Sequence, residues 1–194
     1  MNELFPIFLK VSQLNVLLVG AGLVGEEKLG FMLKSSPNAH VTVVSKEISA
    51  PVRELAENAK NVTLILDEYH EKYLGGKHIV IAATNYPEIN KQIYHDAKEL
   101  YLLVNVADTP QYCDFYLGGI VTKGNVKIAI STNGKSPTTA KRLRQLLEEV
   151  IPEDIDDLVQ NLNDYRKTLK GDFEEKVHVL NELTSVLVAK SKVY

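Results

Sequence analysis

An α/β fold built on a parallel sheet is what this sequence predicts, and three observations carry the prediction. Through roughly its first hundred residues the chain alternates short β-branched runs with longer segments of helical character, the rhythm of βαβ units. The runs VLLVG, VTVV and IVIAA are almost continuously apolar, as strands must be when helices cover both faces of a sheet. A glycine pattern, Gly20-Ala21-Gly22-Leu23-Val24-Gly25, stands where the first of these runs gives way to a helix.

The elements follow in order. Strands are predicted at Asn15 to Gly20, His40 to Ser45, Val62 to Leu66, His78 to Ala83 and Tyr101 to Asn105. Helices are predicted between them at Leu23 to Lys34, Ala50 to Ala59 and Pro87 to Glu99, with Pro87 in the first turn, where its missing N–H costs little. After Asn105 the turn-rich ADTPQYCDFYLGG leads into two short runs, Ile120 to Lys123 and Val126 to Ser131, around Lys123-Gly124-Asn125, which predicts a β-hairpin. From Ser136 onward the pattern is helical to the end, opened by a cap residue and a proline, with Gly171 separating the last two helices.

The glycine pattern G-x-G-x-x-G is weak alone, but here it directly follows a strand and opens a helix, the arrangement of a Rossmann-type domain. The helix then offers free N–H groups and the positive end of its dipole to a pyrophosphate. Gly20 permits the tight turn, Gly22 the close approach of phosphate to backbone, and Gly25 the packing of helix on strand. Leu23 and Val24 supply the first helical N–H groups. At the end of the second strand, where an acidic residue commonly meets the adenosine ribose of NAD, the chain has Ser45 followed by Lys46. Serine can still bond a ribose hydroxyl, whereas Lys46 could attract the extra phosphate of NADP. The balance leans to NAD.

Composition narrows the setting. The 194 residues suffice for one α/β domain of about 110 to 150 residues with a smaller attachment. No apolar stretch approaches the roughly 20 residues needed to span a bilayer, and MNELFPIFLK does not have the layout of a signal peptide. The single Cys113 fits a reducing compartment, so a cytoplasmic protein without membrane association is expected, with Cys113 as a small buried residue. His40, His70, His78, His95 and His178 are scattered without ligand spacing, and no resident metal is expected. The net charge of −3 argues against general nucleic-acid binding. Yet from Phe115 to Leu147 there are six cations, Lys123, Lys127, Lys135, Lys141, Arg142 and Arg144, and no Asp or Glu. One account is a solvated face balanced by the acidic segment Glu148 to Asp157; the other is an anionic ligand.

The ordered motifs PIFLKVSQLNVLLVGAGLVGEEK, VIAATNYPEIN, NVADTPQYCDFYLGG and IAISTNGKSP resemble the precorrin-2 dehydrogenase and sirohydrochlorin ferrochelatase family, which includes the N-terminal module of siroheme synthase. The likeness runs from about Pro6 to Glu148, with departures at Glu27-Lys28 and Gly118-Gly119. It implies an enzyme that uses NAD to oxidise precorrin-2 to sirohydrochlorin, and it inclines the reading toward iron insertion, with Fe²⁺ as substrate, as a second activity. It implies Asp108 as the acid-base residue, a position that the carboxyl ends of the strands favour independently; an Asx-type turn before Pro110 is the alternative. By the same likeness Thr132, and beside it Ser131, lie at the tetrapyrrole site, and Thr84, Asn85 and Asn105 lie near the nicotinamide half of the cofactor, although each could be an ordinary turn residue. A polycarboxylate substrate gives the basic stretch a use, and Lys135, Arg142 and Arg144 are its candidate contacts.

The resemblance also implies a homodimer, which the physics of an isolated hairpin supports, since two strands alone are marginal in water. The expected organisation is a dinucleotide-binding domain at 1–113, a dimerisation segment with substrate loop at 114–147, and a helical domain at 148–194. No methyltransferase segment of the fused synthases is visible, so precorrin-2 is expected from another protein. Two other functions remain open at this point: a dehydrogenase of another polyanion, and a non-enzymatic NAD-sensing module.

Overall fold

The computed structural model describes residues 2–185. Five strands, β1 (Asn15–Ala21), β2 (His40–Ile48), β3 (Val62–Leu66), β4 (Ile79–Ala82) and β5 (Leu103–Val106), form one parallel sheet in the order β3-β2-β1-β4-β5. Helices α1 (Leu23–Ser35), α2 (Ala50–Glu57) and α3 (Pro87–Glu99) connect them. The chain leaves the central β1 first toward β2 and β3, then returns to its other side for β4 and β5. The carboxyl ends of β1 and β4 therefore border the crevice where ligands of open parallel sheets sit.

The period of two along each strand builds the two halves of the core. Val16 and Leu18 of β1 join Val41, Val43, Ile79 and Ile81 on one face, against Leu29 and Met32 of α1 and Val52 of α2. Leu17 and Val19 join Val44, Val80, Val104 and Val106 on the other, against Ile93 and Ala97 of α3. Leu17 and Leu18 are adjacent and both buried, so no single face of β1 is the outside. Each such side chain contributes about 1.5–3 kcal/mol by leaving water, which explains why the strand sequence needs no polar alternation.

Several boundaries shift by one or two residues, and two larger differences from expectation have identifiable reasons. β2 continues past Ser45 through Lys46, Glu47 and Ile48, because the pairing with β1 slips between Val19 and Ala21 and lets Ala21 pair with Ile48. The C-terminal region is broken once more than expected: α4 (Pro137–Val150) ends before Pro152, and α5 (Ile155–Thr168) begins after it. Proline disfavours helical backbone in the residue before it, Ile151. Gly171, at φ +110°, separates α5 from α6 (Phe173–Leu183), whose first turn is closed by a reciprocal capping box between Asp172 and Glu175.

The described residues divide into two compact units, one of residues 2–118 with 131–137 and one of 119–130 with 138–185. The second contains the hairpin β6 (Gly119–Lys123) and β7 (Val126–Ile130), paired antiparallel from Gly119↔Ile130 to Lys123↔Val126, with α5 and α6 and all of α4 but its first residue. Its turn residue Gly124 takes φ +54°, and the next residue, Asn125, donates from its backbone and side-chain nitrogens to Asp156 of α5 at 2.6 and 2.8 Å. Among the described residues no helix is long and apolar enough to cross a membrane.

Candidate dinucleotide site

A cleft of about 510 Å³ opens at the carboxyl ends of β1, β2 and β4. Its floor is the glycine loop, and each glycine has its own steric reason. Gly20 has φ +104°, and a Cβ there would run into the Ala83 carbonyl. A Cβ on Gly25 would strike the Gly20 carbonyl, so helix and strand can approach this closely only without it. At Gly22, by contrast, an added Cβ meets nothing within 4 Å: the space belongs to the cleft. Gly22 is also the N-cap of α1 and makes no side-chain cap, leaving the first N–H groups of Leu23, Val24 and Gly25 for a ligand. A backbone cradle that a side chain would fill, set on a helix N-terminus, fits the pyrophosphate of a dinucleotide.

Of the expected cofactor residues, Gly20, Gly22, Ser45, Thr84 and Asn85 line the cleft. Leu23 and Val24 stand at the start of α1, and Gly25 is buried behind the loop. Ser45 accepts a hydrogen bond from the Ala21 N–H at 3.3 Å, so its hydroxyl steadies the loop and keeps its own proton to donate. Thr84 is fixed by Asn90, which is buried in α3: its amide oxygen accepts from Thr84 Oγ1 at 2.6 Å and its amide nitrogen donates to the Thr84 carbonyl at 3.0 Å. Asn105 does not line the cleft. It is buried, and its Nδ2 donates to the Phe115 carbonyl at 2.8 Å, holding the loop that follows β5.

Three carboxylates escaped the sequence reading. Glu47, Asp67 and Glu68 line the cleft beside Lys46. Glu68 binds the Lys46 amine at 2.8 Å; the pair holds that amine above its usual range and the Glu68 carboxyl below its own. Tyr73 donates its hydroxyl to Asp67, which lowers the Asp67 carboxyl and raises the Tyr73 phenol. Lys46, the expected magnet for a 2′-phosphate, is thus already paired. The available signal was the dipeptide Asp67-Glu68 directly after β3, legible only once β3 is known to lie beside β2.

Asp108 stands two residues beyond β5, exposed, with φ +55°. Among the described residues its carboxylate has no hydrogen-bond or ion-pair partner. An Asx turn would require the N–H of the residue two positions on, and that residue is Pro110, which has none. The surrounding loop is braced around it. Asp114 accepts from the Val104 N–H at 2.9 Å and from Lys98 at 2.8 Å, and Tyr112 stacks on Tyr94 with ring centroids 4.7 Å apart. Cys113 is half-buried rather than fully buried. Burial pushes its thiol pKa up, so it stays protonated and points at the Val106 and Thr109 carbonyls at 3.2 and 3.4 Å, on either side of Asp108.

In the loop after the hairpin, Thr132 Oγ1 donates to the Ser136 carbonyl at 3.0 Å, and the Ser131 hydroxyl accepts from the Asn133 N–H at 3.1 Å. Asn133 and Gly134 both have positive φ, which turns the chain sharply and leaves Lys135 exposed. Arg142 and Arg144 belong to the second unit. Arg142 Nη1 donates to Gln145 at 2.9 Å in a groove that also contains Glu148, Glu149 and Glu153. Arg144 is ion-paired with Glu148 at 2.6 Å and Lys123 with Glu153, so part of the basic stretch is balanced by the acidic segment after it.

Fold, glycine cradle and cleft together define a dinucleotide-binding protein of the Rossmann class. A family model described as "Putative NAD(P)-binding" matches residues 7–119, and a second, "Sirohaem biosynthesis protein central", matches residues 123–149. The chain belongs to that NAD(P)-binding family, which bears out the expected cofactor class. Similar curated proteins include the siroheme synthases of Psychrobacter sp. (strain PRwf-1), 38% identical over 86% of this chain and 34% of that protein, and of Pseudoalteromonas atlantica (strain T6c / ATCC BAA-1087), 38% identical over 88% and 36%. The chain thus spans about a third of the length of these relatives. Among solved structures, "SirC, precorrin-2 dehydrogenase" has the same fold, with a TM-score of 0.77 at 23% identity over 98% of this chain and 94% of that one.

Proposed function

We propose that this protein oxidises precorrin-2 to sirohydrochlorin with NAD in siroheme biosynthesis, Asp108 acting as the acid-base residue. The observation that carries the reading is the Asp108 carboxylate, without a partner among the described residues and held two residues beyond β5 at the same carboxyl edge of the sheet as the glycine cradle. The extended similarity to siroheme synthases supports the choice of substrate. The oxidation removes one hydride and one proton from the tetrapyrrole. Bound NAD supplies the hydride acceptor. The chain's own work is to hold the pyrophosphate on the α1 N-terminus, position the nicotinamide end beside Thr84 and Asn85, and take the proton on an Asp108 oxygen.

Iron insertion, a lyase-type reaction with Fe²⁺ as substrate, is part of the same proposal. Two pyrrole N–H protons must leave as iron enters, and Asp108 is the base available. Ser131, Thr132, Lys135 and Arg142 are the proposed substrate contacts, with Arg144 joining them on release from Glu148. Residues 1–113 then serve as the dinucleotide domain, 114–147 as dimerisation segment and substrate loop, and 148–194 as the helical domain, in a cytoplasmic homodimer. The dimer is testable by light scattering: a mass near twice 21.7 kDa is expected at micromolar concentration, and a stable monomer would contradict it. Incubation with NAD and precorrin-2, followed by the absorption of NADH and sirohydrochlorin, tests the reaction itself.

A further inference from the structure

We propose that Glu68, by neutralising Lys46, makes this chain select the dinucleotide that lacks a 2′-phosphate. The proposal rests on the reading that the adenosine ribose lies at the β2–β3 end of the cleft. It concerns a residue on β3's trailing edge, not the position at the end of β2 where an acidic residue commonly serves.

With Ser45 in place of an acid and Lys46 next to it, the β2 end by itself is chemically suited to a phosphate monoester: a hydroxyl donor and an ammonium. The structure reverses that reading through the neighbouring strand. β3 pairs with β2 in register, Ser45 opposite Leu66, so the two residues after Leu66 emerge beside Lys46. Glu68 takes the Lys46 amine at 2.8 Å, and both groups are more than half exposed, so a ligand entering the cleft meets the pair and not a free cation. Asp67, fixed by the Tyr73 hydroxyl, and Glu47 complete a rim of three carboxylates and one ammonium. A 2′-phosphate placed there would displace Glu68 from Lys46 and stand against like charges, whereas a ribose 2′-hydroxyl can donate to a carboxylate or to Ser45 Oγ.

The test compares NADH and NADPH binding by fluorescence titration in the full chain, with the Glu68→Gln variant and the Lys46→Ala/Glu68→Gln double variant alongside. The wild type should bind NADH at least about tenfold more tightly than NADPH. Glu68→Gln should improve NADPH affinity at least about fivefold and shift the NADPH-to-NADH preference in the same direction, and the gain should shrink as salt is raised from low to physiological strength. The double variant should lose the gain, because no free ammonium remains. A Glu68→Gln variant whose NADPH affinity stays within about twofold of wild type overturns the proposal, as does a wild type that binds both cofactors equally. A wild type that binds neither overturns the dinucleotide site as well, which separates that failure from the failure of Glu68 alone.

Discussion

Asp108→Asn is expected to lose dehydrogenation by about 10²- to 10⁴-fold, the usual contribution of a general base, while NAD affinity stays within about twofold. The substitution is unusually clean at this position. Asp108 holds φ +55°, a region that asparagine tolerates as well as aspartate does, so the turn survives. The carboxylate has no described partner to abandon, and Pro110 offers no N–H for it to cap, so no structural bond is lost with the charge. Cys113 and Thr109 keep the loop in place from their own positions. The amide preserves shape and cannot accept the proton. Supplying sirohydrochlorin and Fe²⁺ directly asks whether the same residue serves iron insertion, and the same variant should then fail. A variant retaining more than about a tenth of wild-type turnover would show that Asp108 is not the acid-base group.

Gly22→Asp is expected to abolish NADH binding, with an affinity loss of at least about 100-fold, in a protein whose circular dichroism and melting are near those of wild type. Position matters here. Gly22 has φ −86°, which any residue adopts, and its Cβ would enter open space, so the backbone carries no strain. The same change at Gly20 or Gly25 would drive a side chain into a carbonyl and confound binding with folding. The new carboxylate would stand where the pyrophosphate meets the α1 N-terminus and repel it. Fluorescence titration decides: binding within about threefold of wild type would remove the glycine loop from the cofactor site.

The fold was legible wherever one face or both faces of an element are apolar. VLLVG, VTVV and IVIAA marked three buried strands because two halves of the core claim alternate residues of each, and Pro87 marked the start of α3 at its true position. The end of β2 was not legible, since Ser45-Lys46-Glu47 reads as a polar exit and only a slipped register with Ala21 keeps it in the sheet. The glycine loop could be read with a reason for each glycine, because its function is local. Asn90 and the carboxylates at 67 and 68 could not, because each acts on a residue outside its own element, and for Glu68 the partnership with Lys46 depends on strand order. Asn105 shows the reverse case: a polar residue at a strand end, expected at the cofactor, whose amide is spent on the Phe115 carbonyl.

The central claim is most directly tested by stoichiometry. Purified protein with NAD and precorrin-2 should form NADH and sirohydrochlorin in a ratio of about one to one, as removal of one hydride and one proton requires, and the Asp108→Asn protein, though still binding NAD, should form neither at a comparable rate. Binding of NAD by the wild type with no sirohydrochlorin formed over many hours would contradict the account and leave a dinucleotide-binding protein of another purpose.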